Sequence, residues 1–160
     1  MKVTNMNKPE TLYDLCELTA EAIETRPLNY CQDYWAHDAK DMMRQKNPEL
    51  VREACGTAFC RAGWMYALSS EKVLNPGQWG LVKDRIFSKM MAKLKAAGIP
   101  EGTALRLFSG SQAHGADDTD SYHQNLRNET VGTAKYAKIG ADGMRRFMHE
   151  FEKELRAAKV

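Results

Sequence analysis

Long apolar runs, a surplus of one charge and paired cysteines are all missing from this sequence. The longest apolar run, from Ala54 to Leu68, is interrupted by Arg61 and is shorter than the ~20 residues that a membrane-spanning helix needs. Lysine and arginine number 23 against 21 aspartates and glutamates, a formal net charge of +2. This balance creates no field that would require nucleic acid or an anionic membrane as a partner. We therefore expect a soluble protein that does not associate with membranes, and nucleic acid is not an expected partner.

The cysteines do not form the pattern of a secreted disulfide framework. They lie at irregular spacings, at Cys16, Cys31, Cys55 and Cys60. Such spacing in a chain of 160 residues is typical of reduced thiols in an intracellular protein. Residues 1–15 also lack the apolar segment of a secretory signal. The sequence therefore predicts a cytoplasmic protein.

Helical periodicity is present along most of the chain. Apolar residues recur at intervals of three and four, as on one face of an amphipathic helix, and Pro27 and Gly98 supply helix-ending signals. The predicted helices span Pro9–Thr25, Asp33–Lys46, Ala58–Ser69, Gln78–Ala97, Glu101–Phe108 and Ala141–Ala158.

One predicted helix differs from the others, because Ala58–Ser69 is apolar nearly all round, as expected of a helix enclosed by its neighbours. Residues 109–139 are polar and without a sustained period, which predicts a long polar loop with at most a minor strand pair around Thr130–Ile139. The predicted fold is mainly all-α. It is a single domain over residues 1–160, a compact bundle of about five helices around a central apolar helix.

The sequence Cys55-Gly56-Thr57 has the features of an entrance to this central helix. Thr57 is a favourable N-cap residue, and Gly56 gives the chain freedom to turn before it. Cys55 would then lie near the positive end of the helix dipole, where a thiolate is favoured. The alternative is that Cys55 packs as a small apolar residue. We expect it to be at least partly buried against Trp35 or the first helix, with no histidine in contact.

Arg61 is a charged residue in an otherwise apolar segment, so its guanidinium must reach solvent, a carboxylate or a bound anion. A salt bridge to an acid of the first helix is favoured over a ligand contact. If a ligand is bound, we expect an anion near Arg61 and the amino end of its helix. The candidate ligand-binding residues are Arg61, Thr57, Cys55, Trp64, Trp35 and His37.

The sequence supports metal and catalytic sites less well than this binding site. The set Cys31, His37, Cys55 and Cys60 lacks the close ligand pairs typical of zinc sites, and the acidic segment 115–121 lacks the glutamate and spacing of an EF-hand. Cys55 would need a histidine base, and the sequence singles out none of the four, which are His37, His114, His123 and His149. We expect no metal and no cofactor.

The motif C-G-T-x-x-C-x-A-G-W, from Cys55 to Trp64, with Leu107-Phe108 downstream, resembles a group of small uncharacterised proteins of bacteriophages and bacteria. The motif covers ten residues, and the remainder matches only in outline. The resemblance implies a helical domain with a phage accessory role in the host cytoplasm, and it supplies no catalytic residue. Arg61 departs from the pattern, because that group more often has an aliphatic residue there.

The functional expectation follows from these features together. The sequence has no complete catalytic set, no phosphate-binding glycine loop and no nucleic-acid-binding motif, whereas the polar loop and aromatic segments offer a recognition surface. We expect a non-enzymatic binding protein that occupies a host macromolecule or sequesters a small anionic ligand. A hydrolase or transferase that uses Cys55 is the alternative. A further alternative is nucleic-acid binding through the basic face of Gln78–Ala97, which carries Lys83, Arg85, Lys89, Lys93 and Lys95.

Overall fold

The computed structural model describes residues 8–34, 36–69, 76–109, 122–123 and 125–160. Its α-helices in these ranges are α1 (Leu12–Thr25), α2 (Ala39–Lys46), α3 (Arg61–Ser69), α4 (Pro76–Ala96), α5 (Glu101–Phe108), α6 (Ala134–Glu150) and α7 (Glu152–Ala157), and two short strands are β1 (Ala36–Asp38) and β2 (Thr57–Phe59). The prediction of a mainly all-α fold with a minor strand pair is confirmed. In the part of the chain that is described, no helix is long and apolar enough to cross a membrane.

The first helix begins and ends where its sequence signals predict. Thr11 and Asp14 form a reciprocal capping box, in which each side chain accepts a hydrogen bond from the other residue's backbone N–H at 3.0–3.1 Å. The hydrogen bond that the Asp14 carboxylate accepts from the backbone N–H of Thr11 lowers the pKa of Asp14. The opposite end stops at Thr25, just before Pro27. The buried face of α1 packs most extensively against α6 and next against α3, so these three helices form the main core.

The strand pair lies elsewhere than predicted. β1 and β2 are antiparallel, and His37 is opposite Ala58 in their register. The predicted location around Thr130–Ile139 was wrong, because Thr133 caps α6 with its side-chain oxygen, which accepts from the backbone N–H of Tyr136 at 3.2 Å. Helix α6 therefore begins at Ala134, inside the predicted polar loop of residues 109–139. Residues 110–121 and 124 of that loop lie outside the described residues.

The other helix boundaries differ from prediction at particular residues. Strand β1 takes the first part of the predicted helix Asp33–Lys46, and the predicted helix Ala141–Ala158 is interrupted at Phe151. Helix α4 ends as predicted, because Gly98 has a φ of 90°, the left-handed conformation that favours glycine at this position. Helix α3 is shorter than predicted and begins only at Arg61; its first five residues are buried and the rest are half-buried.

Candidate functional site

The Cys55-to-Thr57 segment is a surface turn fixed by Asn29. The side-chain amide of Asn29 donates to the carbonyl oxygens of Cys55 at 2.8 Å and Thr57 at 3.1 Å. The Asn29 carbonyl oxygen in turn accepts from the indole Nε1 of Trp64 at 3.1 Å. Gly56 lies between the two bonded carbonyls with a φ of 74°. Asn29 therefore joins Cys55, Thr57 and Trp64, a role that its sequence position after Pro27 indicates only as a turn residue.

Two expectations about this segment were wrong. Thr57 is not an N-cap, because it pairs with Asp38 in the β ladder and α3 begins beyond it at Arg61. Cys55 is exposed rather than partly buried, because the left-handed Gly56 turns the chain at the surface before β2 begins. The Cys55 thiol is consequently not at the first turn of a helix. It forms no hydrogen bond with any other residue that the structure describes.

His37 belongs to a small aromatic and charged cluster on the neighbouring strand. Its ring stacks on Tyr34, with the centroids 4.8 Å apart. The Lys46 ammonium lies 5.8 Å from the Tyr34 ring centroid and 3.4 Å from a carboxylate oxygen of Asp33. The stacking on Tyr34 explains the position of His37 by local packing, without a ligand. Trp35, the other aromatic candidate of this segment, lies outside the described residues.

Arg61 is fully buried, and its guanidinium donates to backbone carbonyl oxygens of three separate segments. Nε donates to Gly140 at 3.1 Å, Nη1 donates to Leu107 at 3.2 Å, and Nη2 donates to Tyr122. The expected salt bridge to an acid of α1 is absent; Glu24 of that helix pairs with Arg145 instead, at 2.7 Å. Carbonyl oxygens therefore take the place of a carboxylate or a bound anion among the described partners of Arg61.

His123 completes the surroundings of Arg61. Its Nδ1 lies 3.4 Å from Arg61 Nη1, and its Nε2 contacts the carbonyl oxygen of Arg106. Because Arg61 is only a donor and a carbonyl is only an acceptor, these partners assign Nδ1 as acceptor and Nε2 as N–H donor. The neutral imidazole fits both contacts.

Gln32 is a second buried polar residue beside Arg61. Its Oε1 accepts from the Tyr30 hydroxyl at 3.0 Å and from the Arg61 backbone N–H at 3.3 Å, and its Nε2 donates to the carbonyl oxygens of Leu107 and Ser109 at 3.3 and 3.0 Å. Sequence reasoning missed Gln32 and singled out His123 only as one of four histidines. A lone glutamine in a loop has no periodic or spacing signal that would mark it as buried.

The buried thiols are expected to be unreactive. Burial raises the pKa of Cys60 and of Cys16 to about 12 and that of Cys31 to about 11. They remain protonated at neutral pH, and a protonated thiol is a poor nucleophile and metal ligand. Within the described ranges, no group of three or more histidine, cysteine or acidic residues is placed to hold a metal ion.

A shallow groove runs beside Trp64, between α1 and α3. Its volume is about 170 Å³. Arg26 and Trp64 both line the groove, and the Arg26 guanidinium lies 5.7 Å from the centre of the Trp64 ring. Trp64 itself is only 5% exposed. Pockets that hold small molecules usually measure about 300–1,000 Å³. The groove is therefore too small to enclose a metabolite.

The outward face of α4 carries several cations close together, one of which, Lys89, lies 5.7 Å from the centroid of the Tyr66 ring. Arg85, Lys89 and Lys95 are exposed and Lys93 is half-buried, and none of the four forms an ion pair with another described residue. Some cations on other helices are neutralised locally, as in the pair of Lys138 with Asp142 at 2.9 Å, and others, such as Lys40 of α2 and Lys153 of α7, are isolated lysines without an ion pair to another described residue. We call Arg85, Lys89, Lys93 and Lys95 the basic face of α4.

The described residues thus divide into separate groups rather than one centre. The candidates Cys55, Thr57 and Trp64 meet at Asn29, His37 packs on Tyr34, and Arg61 is enclosed in the core. No arrangement of nucleophile, base and oxyanion donors is formed by these groups in the described part of the chain. No protein-family model, curated protein or solved structure matches this chain.

Proposed function

We propose that this protein is a non-enzymatic binding protein that occupies an anionic host macromolecule through the basic face of α4. The observation that supports the proposal is the set of four neighbouring cations that form no ion pair with another described residue. Like charges on one helix repel each other, so a row of this kind lowers the stability of the free protein slightly and favours association with a negative surface. An accessory role in a phage-infected cell rests on the resemblance of the Cys55–Trp64 motif.

A macromolecular partner is better supported than sequestration of a small anion. The guanidinium of Arg61, the residue expected to hold such an anion, is fully buried and donates to backbone carbonyls. The groove beside Trp64 measures about 170 Å³ and would leave most of a metabolite in solvent. The basic face of α4, in contrast, is a convex exposed surface that suits an extended partner.

The test uses heparin as a generic polyanion and isothermal titration calorimetry in 50 mM KCl. The variant Lys89→Gln/Lys95→Gln removes two charges from the basic face. The matched control, Lys40→Gln/Lys153→Gln, removes two charges from exposed lysines of α2 and α7 that form no ion pair with any residue in the described ranges. We expect the control to bind like the natural protein and the α4 variant to bind at least tenfold more weakly. Equal affinities, or no binding by any of the three proteins, would contradict the proposal.

A cysteine-dependent hydrolase or transferase is the second candidate, and the exposure of Cys55 is the observation that favours it. A catalytic thiol also needs a base within hydrogen-bond reach to form the thiolate. Among the described residues, Cys55 has no such partner. Rapid alkylation of Cys55 by iodoacetamide below pH 7, together with loss of function in Cys55→Ser at unchanged stability, would favour this enzyme over the binding protein.

A further inference from the structure

We infer that the macromolecule is double-helical DNA and that α4 binds it in the major groove without sequence preference. This inference rests on the proposed function, and it names the partner of the same surface. The first observation is that α4 has no acidic residue from Arg85 to its end. A carboxylate at any of these positions would repel phosphate, so the whole described outward face is compatible with a nucleic-acid backbone.

The second observation is the arrangement of this face. At 3.6 residues per turn, Ser88 and Ala92 lie at the centre of the outward face, opposite the buried Ile86, Met90 and Leu94. Both are small and exposed; Arg85 and Lys95 flank them on either side, and Lys89 and Lys93 lie progressively farther round toward the core. The major groove of B-DNA is about 12 Å wide and admits an α-helix. The slim centre of the face can enter such a groove while the flanking cations reach the phosphates on either side.

The residue types on this face distinguish DNA from an acidic protein. Interfaces between proteins are enriched in aromatic residues and depleted of lysine, and their binding energy comes from buried apolar anchors. Three of the four cations here are lysines, and the exposed apolar residues of the face are alanines. Over the ranges that the structure describes, Leu105 is the only large hydrophobic residue that is exposed, at 39%. Such a surface suits phosphate contacts better than a protein interface.

The same residues also argue against other nucleic acids and against base recognition. Single strands are held on exposed aromatic side chains, and the only aromatic residue of the described face, Phe87, is half-buried. The major groove of double-stranded RNA is too deep and narrow for a helix to enter. The residues at the centre of the face, Ser88 and Ala92, have no guanidinium, ammonium or carboxamide group for bidentate contact with a base edge. The flanking cations Arg85 and Lys95 would therefore make their contacts mainly to phosphates.

The experiment measures fluorescence anisotropy of labelled DNA duplexes of about 20 base pairs, in two unrelated sequences, at 50–200 mM KCl. We expect both sequences to bind within a factor of about three of each other. For four phosphate contacts, log K should fall with log salt with a slope of about −3.6. The variant Lys89→Gln/Lys95→Gln should reduce this slope by about 1.8, and Lys40→Gln/Lys153→Gln should leave it unchanged.

Parallel titrations use double-stranded RNA, polyglutamate and heparin. They distinguish failure of the DNA inference from failure of the proposed function. If heparin binds through the basic face but polyglutamate or RNA binds as tightly as DNA, the inference of a DNA groove is overturned and the proposed function stands. A salt slope flatter than about −1 for DNA also overturns it, because phosphate contacts would then be few. If neither heparin nor DNA binds, the proposed function and this inference fail together.

Discussion

Gly143 of α6 and Arg61 of α3 are fitted to each other, because the space that a side chain at position 143 would need is occupied by the guanidinium. A Cβ atom built there would collide with Nη2 of Arg61 and with the carbonyl oxygen of Tyr122. Glycine in a helix interior costs about 0.5–1 kcal/mol relative to alanine. Alanine would avoid this cost, but its methyl group would occupy the space in which Arg61 donates a hydrogen bond to Tyr122.

Gly143→Ala is expected to lower the free energy of unfolding by about 1–3 kcal/mol, the usual effect of overpacking, although alanine is the better helix former. Gly102→Ala is the matched control, since it is also in a helix and a Cβ there meets no atom within 4 Å. We expect this control to leave stability unchanged or to raise it by up to about 1 kcal/mol. Urea denaturation followed by circular dichroism measures both. Equal stabilities of the two variants would contradict the fitted contact.

The sequence was sufficient to single out Arg61 but not to find its partners. A guanidinium in an apolar segment requires polar partners, and that part of the argument is confirmed by its buried hydrogen bonds. The partners are backbone carbonyls separated from Arg61 by 46, 61 and 79 residues. Every residue has a carbonyl, so residue types and spacings contain no signal for such a pairing.

Secondary structure was predictable where local signals were strong. Helix α1 has a capping box and a regular apolar face, and α5 matches its predicted bounds of Glu101–Phe108. The strands β1 and β2 were missed because three residues are too few to display alternation, and their pairing brings together segments that are distant in sequence. The exposure of Cys55 depends on that same pairing and on the turn at Gly56, so it could not be read from periodicity.

Truncation of Arg61 tests whether the residue supports the fold or binds a ligand. Arg61→Ala removes the donors to three carbonyls and leaves a cavity, so we expect a loss of about 3–5 kcal/mol in the free energy of unfolding. Arg61→Met leaves a smaller cavity than Arg61→Ala, so its loss in the free energy of unfolding should be smaller. Arg52→Ala, at an exposed position, should change stability by no more than about 0.5 kcal/mol. A stable, folded Arg61→Ala protein that has lost binding of an anion would favour the ligand role instead.

Trp64 is expected to contribute to stability both by packing and by its indole hydrogen bond. Its ring meets Phe59 edge-on at 5.1 Å between centroids, and Nε1 donates to Asn29. Trp64→Ala should cost about 3–5 kcal/mol. Trp64→Phe retains much of the packing and loses the hydrogen bond, so it should lower the free energy of unfolding by less than Trp64→Ala does. The comparison uses thermal and urea unfolding, and a Trp64→Ala protein as stable as the natural one would contradict the buried position of this residue.

Alkylation should separate Cys55 from the other thiols in the native protein. At pH 8, iodoacetamide should modify the exposed Cys55 within minutes, whereas the buried Cys16, Cys31 and Cys60 react only when the chain opens. In 8 M urea all four thiols should react. Peptide mass spectrometry at successive times measures each site. Modification of a buried cysteine as fast as Cys55 would show that its enclosure is incomplete.

The buried thiols should also make the protein lose stability in alkaline solution. Burial raises the pKa of Cys16 and of Cys60 from about 9.0 to about 12, and that of Cys31 to about 11. The unfolded chain therefore releases thiol protons at a lower pH than the folded chain, so this contribution is fully present below pH 9 and is lost as the pH rises through 11 to 12. Each thiol adds a slope of up to about 1.4 kcal/mol per pH unit above pH 9.

The variant Cys16→Ala isolates this effect. Between pH 9 and 10, the free energy of unfolding should fall less steeply in Cys16→Ala than in the natural protein, by up to about 1.4 kcal/mol per pH unit. Lysine and tyrosine titration is common to both proteins, so the difference between their slopes reports the thiol. If Cys16→Ala lost stability as steeply as the natural protein, ionisation of Cys16 would not be suppressed by its burial in the core.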